Sequence, residues 1–369
     1  MPVNRTELGV GCFHFEVPTA GLDTEKWARE VRRVLEAVPS VRAVEIEEPI
    51  PGLMGEEEDE EIYFSPHPQS GHVSFGLTIP RRMQEEVWAG SLPAGVSEDF
   101  AVSIFYGDYF PVTFITFLGQ SDGVDASGGV VIVREFLRRE LRRLGAEVGE
   151  VGFVVLGPSP FHANFTFLPS SPEELEGDPG IPGISYAKKP QLGYPDVLIR
   201  YDSTRYSSGE DAISAFVPHV IHQLSYFYQL IRLRNRRMFH AVAIRNRVTE
   251  LVHIHQASGL KGWWWRMFQA GRLTRELILT AVGLSFRHRE EIRRSRESFE
   301  HIFEAAKLPM FRTWLESEMT DAYRDELNNC REVAELLEPR RLREVNALLV
   351  LVVAAVSAVL GAFASHLLG

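Results

Sequence analysis

The sequence predicts an α+β N-terminal domain, a mixed sheet with two helices, followed by a long antiparallel α-helical bundle and one C-terminal transmembrane helix. Three observations support this fold class. Short segments with alternating apolar residues fill the first part of the chain, apolar residues at helical spacing fill the second, and an uncharged apolar run closes it. We therefore divide the chain into segments 1–208, 209–338 and 339–369.

The distribution of charge marks the boundary between the first two segments. Residues 1–208 carry 17 basic and 32 acidic side chains, whereas residues 209–369 carry 22 basic and 18 acidic ones. The net charge of the whole chain is -11, which argues against nucleic acid as a partner. The two cysteines, Cys12 and Cys330, are far apart in sequence, which excludes a disulfide framework and a cysteine-based zinc site.

The acidic first segment predicts two helices among several strands. Residues 24–38 place Trp27 and other apolar side chains on one helical face, after Asp23 as a helix N-cap. Residues 128–144 form the second predicted helix. Alternating apolar residues bounded by glycine and proline predict strands over 9–17, 41–47, 72–79, 101–106, 112–118, 151–156, 164–168 and 197–201.

The basic second segment predicts three long helices, over 211–258, 272–307 and 310–338. Gly259 separates the first helical pattern from the second, and Pro309 separates the second from the third. Because short connections favour antiparallel neighbours, these helices are expected to form a bundle that acts as a stalk.

The C-terminal run from Ala347 to Leu368 predicts a transmembrane helix. It contains no formal charge, and as a helix it would span about 33 Å, close to the roughly 30 Å hydrocarbon core of a bilayer. The alternative is a buried core helix, but such helices rarely remain apolar on every face. Arg340, Arg341 and Arg343 precede the run, so the positive-inside rule places the rest of the chain in the cytoplasm.

These features predict a tail-anchored, single-pass protein of the bacterial inner membrane with a cytoplasmic N-terminus. Only five of the 39 basic residues are lysine, a bias typical of GC-rich bacterial genomes. The small residues Ala354, Ala358 and Gly361 share one face of the predicted span and favour a homo-oligomer through close helix approach. The alternative is that small residues are simply common in such helices.

Three consecutive tryptophans, Trp263, Trp264 and Trp265, are predicted to lie at the membrane interface. Their loop precedes the second long helix, which should begin near the bilayer if it is antiparallel to the helix that enters it. Residues 232–296 carry 15 basic and 4 acidic side chains, a charge that favours anionic lipid. The alternatives are core packing and a protein contact.

Two loops contain candidate ligand-binding residues. Ser159, His162 and Asn164 place a hydroxyl, an imidazole and an amide on a proline-containing connection after a predicted strand. A rigid turn with local hydrogen bonds is the alternative. Residues 121–129 open the second predicted helix and could hold an anion there, although they match neither the Walker pattern nor the dinucleotide fingerprint.

The sequence shows no catalytic motif and no metal-binding pattern. His219 and His222 are three residues apart on a predicted helix, but no carboxylate accompanies them, so we expect neither a metal site nor a cofactor. The leading functional hypothesis is a membrane-anchored sensor or effector. Its α+β domain would recognise a small molecule or a protein and relay that state through the stalk to an oligomeric membrane helix. The alternatives are a membrane-tethered enzyme and a passive tail-anchored scaffold.

Overall fold

The computed structural model groups the described residues into two compact units. The α+β unit comprises Met1–Arg232 and His301–Leu315, and the helical unit comprises Leu233–Glu300 and Glu316–Gly369. The boundary falls inside three helices, so the backbone crosses it three times. The described residues are 5–17, 23–47, 68, 70–88, 92, 96–107, 109–118, 126–156, 164–175, 180–189, 196–319 and 323–368.

The α+β unit contains ten described strands. They are β1 (Thr6–Gly11), β2 (Phe13–Glu16), β3 (Val41–Ile46), β4 (Gly71–Thr78), β5 (Asp99–Tyr106), β6 (Val112–Phe117), β7 (Gly152–Val155), β8 (Asn164–Ser170), β9 (Ile184–Lys189) and β10 (Asp196–Asp202). Eight of them form one mixed sheet in the order β3-β4-β5-β6-β1-β8-β10-β9, and β2 pairs with β7 separately. All neighbours in the large sheet are antiparallel except β8 and β10.

Three helices in the described residues of the α+β unit precede the long helices. They are α1 (Thr24–Glu36), α2 (Arg81–Trp88) and α3 (Ala126–Leu144). The predicted N-cap of α1 is confirmed, because the Oδ1 atom of Asp23 accepts a hydrogen bond from the backbone N–H of Lys26 at 2.7 Å. Helix α2 was not predicted, so the described residues place three helices with the sheet instead of two.

Helix α3 packs closely against β1 in the middle of the sheet. A Cβ atom added at Gly9 would lie 2.3 Å from the backbone oxygen of Ala126, so only glycine allows this approach. Buried side chains of α1 and α3, among them Trp27 and Val130, join those of the strands in one hydrophobic core.

The C-terminal half of the chain is helical. Its helices are α4 (Gly209–Gln256), α5 (Gly259–Trp265), α6 (Gly271–Ala305), α7 (Arg312–Glu318) and α8 (Arg324–Leu368), and a π-helical turn, Arg266–Ala270, joins α5 to α6. Within the α+β unit, Phe216 of α4 packs edge-on against Phe165 and Phe167 of β8, with ring centroids 5.3 and 5.5 Å apart. The third predicted helix, 310–338, is instead divided between α7 and α8, and α8 continues through Pro339.

Ion pairs show how α4 and α6 pack in the helical unit. Arg236 of α4 pairs with Glu291 of α6, and Arg247 pairs with Glu276 at 3.4 Å. Residue numbers rise along one helix while they fall along the other, so the two helices are antiparallel.

Helix α8 packs alongside α4 in the same direction. Arg234 of α4 pairs with Glu318 of α7 at 2.5 Å, and Arg245 pairs with Glu326 of α8 at 3.2 Å, so residue numbers rise together. The core of this three-helix bundle is formed by Ile244, Val248, Leu251, Ile254, Ala270, Leu277, Ala281, Leu327, Cys330 and Ala334.

The prediction of a C-terminal transmembrane helix is wrong. In the described part of the chain, no helix combines the length and the apolar character needed to cross a membrane. The apolar run forms the end of α8, and its described side chains stop at Ser357. The predicted fold class, the tail-anchored single-pass topology and the inner-membrane localisation are corrected accordingly.

Candidate functional site

A buried polar cluster lies in the α+β unit where β2, the end of β5 and helix α4 meet. We call it the His14 cluster, and it consists of His14, Glu16, Tyr106, Phe110 and Arg232. His14 and Glu16 are two residues apart on β2 and therefore lie on the same face of that strand. Tyr106 is the last residue of β5, Phe110 belongs to the β5–β6 connection, and Arg232 belongs to α4.

His14 is fully buried and electrically neutral. Its Nε2 atom donates a hydrogen bond to the Oε1 atom of Glu16 at 2.9 Å, and its ring stands edge-on to the ring of Phe110 at 4.9 Å. Burial lowers the pKa of His14; Glu16 partly opposes this effect, and the charge of Arg232 adds to it. The contact is therefore a hydrogen bond from a neutral imidazole to the Glu16 carboxylate and not an ion pair.

Tyr106 fixes the backbone of β2 beside His14. Its hydroxyl group accepts a hydrogen bond from the N–H of Phe15 at 3.0 Å and lies 3.3 Å from the carbonyl oxygen of the same residue. Trp27 of α1 packs edge-on against the Tyr106 ring at 4.9 Å. Burial raises the pKa of Tyr106, so this hydroxyl remains protonated.

Helix α4 is attached to the β5–β6 connection through Phe110. The hydroxyl of Ser225 donates a hydrogen bond to the carbonyl oxygen of Phe110 at 2.7 Å. The guanidinium carbon of Arg232 lies 5.9 Å from the centre of the Phe110 ring. Tyr226 adds an edge-on contact with Tyr109 at 4.8 Å. The ring of Phe110 thus contacts His14 on β2 as well as α4.

The cluster places charges at its rim and a neutral imidazole in its interior. The side chain of Glu16 is 23% exposed and Arg232 is exposed, so a charged group arriving from solvent can reach both. The thiol nearest to His14 in sequence is that of Cys12. Its Sγ atom donates a hydrogen bond to the carbonyl oxygen of Leu156, which lies outside the cluster, at 3.2 Å. This arrangement suits recognition of a charged group better than nucleophilic catalysis.

Only one of the predicted ligand-binding residues lies in the described structure. Ser159 and His162 are outside the described residues. Asn164 is the first residue of β8, and its Oδ1 atom accepts a hydrogen bond from the backbone N–H of Ala126 at 3.1 Å. Asn164 and Ala126, which belong to the two predicted ligand-binding loops, are therefore hydrogen-bonded to each other. The N–H of Ala126 at the start of α3 is thus already bonded to Asn164 and is not available to an anion.

The three tryptophans differ in their surroundings. Trp264 is 56% exposed, whereas Trp263 and Trp265 are half-buried. Trp265 packs against the core of the helical unit, and the Nζ atom of Lys261 lies 4.7 Å from the centre of its ring. Of the three, Trp264 is thus the one that presents its ring to the surroundings.

The predicted arginines and small residues near the C-terminus all lie on α8. Arg343 is exposed and its Nε atom donates to the carbonyl oxygen of Pro339 at 3.4 Å. Ala354 is also exposed. The side chains of Arg340, Arg341 and Ala358 are outside the described part of the structure, as are those of the end of α8 that contains Gly361.

The predicted histidine pair lies on α4. His219 is half-buried, and its carbonyl oxygen accepts a hydrogen bond from Gln223 at 3.1 Å, while His222 is exposed. Among the described residues, no group of three or more histidine, cysteine or acidic side chains is placed to bind a metal ion.

Sequence reasoning missed the His14 cluster. A signal for half of it was present, because His14 and Glu16 interrupt the apolar strand segment Gly9–Val17 on a single face. Nothing in the sequence links them to Arg232, which is more than two hundred residues away. Comparisons with protein-family models, with curated proteins and with solved structures give no match to this chain. The functional conclusion therefore rests on the residues and distances above.

Proposed function

We propose that this protein is a non-enzymatic sensor or effector. Its α+β unit recognises a small molecule or a protein through a charged group that engages Glu16 and Arg232, and α4 carries the response into the helical unit. The observation that supports this proposal is the attachment of α4 to Phe110, which itself contacts His14.

The physical basis of the relay is the continuity of α4. Ser225 and Arg232 belong to the α+β unit, and the same helix continues without interruption to Gln256 in the helical unit. A ligand that draws Arg232 away from Phe110 changes the contacts of a helix whose other half is packed in a different core. Coupling of this kind requires an element with two arrangements that the ligand stabilises differently.

We also propose that the helical unit works as a homo-oligomer through the apolar end of α8. Six of its large side chains are 51% to 68% exposed, namely Leu349, Val350, Leu351, Val352, Val353 and Val356. A second copy of the chain would cover these side chains and remove their apolar surface from water. A protein that stays monomeric at all accessible concentrations would contradict this part of the proposal.

The Ser225→Ala substitution tests the relay. The substitution removes the hydroxyl that donates to the Phe110 carbonyl. We expect it to lower the free energy of local opening of α4 by about 1 kcal/mol. Hydrogen exchange measured by mass spectrometry should become faster in residues 109–118 and also in residues 233–256. The second region matters most, because it lies in the helical unit.

The control is Ser214→Ala, a change at an exposed serine nearer the start of α4. It should leave exchange in residues 233–256 unchanged. If Ser225→Ala affects the α+β unit alone, the relay is wrong and a binding module or a passive scaffold remains. If a molecule that co-purifies with the protein is converted to a product, the non-enzymatic proposal is wrong as well.

A further inference from the structure

An exposed apolar stripe lies where α4 turns back into α6. Leu260 is 88% exposed, Trp264 is 56% exposed and Phe268 is 57% exposed. These residues follow one another at intervals of four and therefore share one side of the turn. The rings of Trp264 and Phe268 lie 4.3 Å apart. We call these three residues the tip stripe.

The opposite side of the same turn is fixed in the helical unit. Arg266 is buried, and its Nη1 atom donates a hydrogen bond to the carbonyl oxygen of Ala257 at 2.5 Å. A Cβ atom added at Gly262 would lie 2.3 Å from that same oxygen, so the chain is closely packed there. Ala270 belongs to the core. The tip stripe is therefore held outward by a packed inner side and is not a loose loop.

The charge next to the tip stripe is mostly positive. Residues 257–275 contain Lys261, Arg266, Arg272 and Arg275 and no acidic residue, and the next residue, Glu276, pairs with Arg272 at 2.7 Å. Lys261 and Arg275 are exposed, and the Arg272 side chain is 84% exposed. An apolar face that carries tryptophan and is flanked by basic side chains has the composition of helices that lie in the headgroup region of anionic bilayers.

We infer that the tip stripe binds the surface of an anionic lipid bilayer. Trp264 and Phe268 would enter the boundary between headgroups and acyl chains, where amphipathic aromatic rings are favoured. Lys261 and Arg275 would attract the anionic headgroups. The contact is peripheral and requires no helix that crosses the bilayer.

The inference differs from the expectation based on three consecutive tryptophans. Trp263 and Trp265 are half-buried and are not part of the proposed contact. Leu260 and Phe268 are part of it, because they are exposed and lie four residues from Trp264 on the same side. A second copy of the chain is a less suitable occupant, because two identical basic surfaces would repel each other. The inference is independent of the relay proposed for α4.

Vesicle binding by the full-length protein tests the inference. Vesicles of phosphatidylcholine alone are compared with vesicles that contain phosphatidylglycerol as well. We expect stronger binding to the anionic vesicles, and weaker binding as ionic strength rises because the basic side chains are screened. The double variant Trp264→Ser/Phe268→Ser should bind roughly tenfold more weakly or worse.

Phe286→Ser is the matched control. Phe286 is 67% exposed on α6 and lies about 27 Å along the helix from Phe268. Its replacement removes the same kind of exposed ring and should leave vesicle binding unchanged. The variant Lys261→Gln/Arg275→Gln should weaken binding at low ionic strength and have little effect at high ionic strength.

Quenching of tryptophan fluorescence by brominated lipid decides whether Trp264 itself enters the bilayer. This measurement is needed because the exposed apolar side chains of α8 could hold the protein on vesicles by themselves. Trp264→Phe should retain binding and lose most of the quenching. Equal quenching in the wild type and this variant would overturn the inference. So would tip-stripe variants that change only self-association, because the occupant would then be a second copy.

Discussion

The two units of this protein differ in how many of their large apolar side chains are exposed. In the α+β unit, the described large apolar side chains that remain exposed are Trp88, Leu118 and Tyr186. In the helical unit such side chains occur along α4, at the tip, along α6 and along most of the described part of α8. Because contiguous exposed apolar surface is typical of interaction sites, we expect the contacts proposed above with a second copy and with lipid to lie in the helical unit.

A buried histidine in each unit illustrates two ways of accommodating a polar side chain. In the α+β unit, the Nε2 atom of His14 has a carboxylate partner at 2.9 Å. In the helical unit, His288 is 1% exposed and stacks on His240 with ring centroids 5.8 Å apart. Neither ring nitrogen of His288 has a hydrogen-bond partner among the described residues. His288 is therefore a buried polar group whose desolvation is not compensated by a hydrogen bond to the described residues.

The largest expected difference between the units concerns truncation of an aromatic side chain. Trp27→Ala removes a fully buried ring that packs on Tyr106, and it should lower the free energy of unfolding of the α+β unit by about 3–5 kcal/mol. Phe286→Ser in the helical unit should change it by less than about 0.5 kcal/mol. Urea denaturation followed by hydrogen exchange assigns each transition to its unit. Comparable losses in both variants would show that Phe286 is covered in the native assembly.

A pH effect of intermediate size is expected from His288. Burial lowers its pKa to about 4, and the charges of Arg237, His240 and Arg236 contribute in the same direction. The unfolded chain, with the ordinary value of 6.5, therefore binds the proton more readily. His288 does not lower the free energy of unfolding above about pH 6.5. As the pH is lowered from there to about 4, the free energy of unfolding falls by on the order of 2–3 kcal/mol.

The variant His288→Phe should remove this pH dependence while it keeps a ring against His240. The measurement is the urea midpoint of the helical unit across the range from pH 7 to 4. His301→Phe, at an exposed histidine of the same helix, is the control and should retain the acid-induced loss. Identical pH profiles for wild type and His288→Phe would show that another group is responsible.

The local elements of the α+β unit were largely predictable because apolar alternation is a property of neighbouring residues. The connections between them were not. The predicted strand over 9–17 is divided into β1 and β2, because β1 pairs with β6 and β8 while β2 pairs with β7. Those partners lie about a hundred residues or more away in sequence, so strand order and the split at Cys12 depend on long-range pairing.

The candidate site was less predictable for the same reason. Asn164 was selected from its unusual sequence neighbourhood, yet its amide caps α3. The sequence does not predict a role for His14, because a histidine in an apolar strand has no distinctive local pattern. Arg232 belongs to a helix whose many arginines look alike in sequence, and only the fold brings it near Phe110. In the helical unit, sequence composition indicated the basic surroundings of the tryptophans, but exposure was needed to single out Trp264.

The smallest expected effects come from two glycines, one in each unit. Gly9→Ala would bring a Cβ atom against the backbone of α3 and should destabilise the α+β unit by about 1–3 kcal/mol, because the sheet and helix must separate. Gly283 lies inside α6, and a Cβ atom added there meets no described atom within 4 Å. Gly283→Ala should therefore stabilise the helical unit by about 0.5–1 kcal/mol through helix propensity. The midpoint of thermal unfolding should move down for the first variant and up for the second. If Gly283→Ala is destabilising instead, this face of α6 is occupied in solution, and the contrast between a closed α+β unit and an open helical unit would have to be revised.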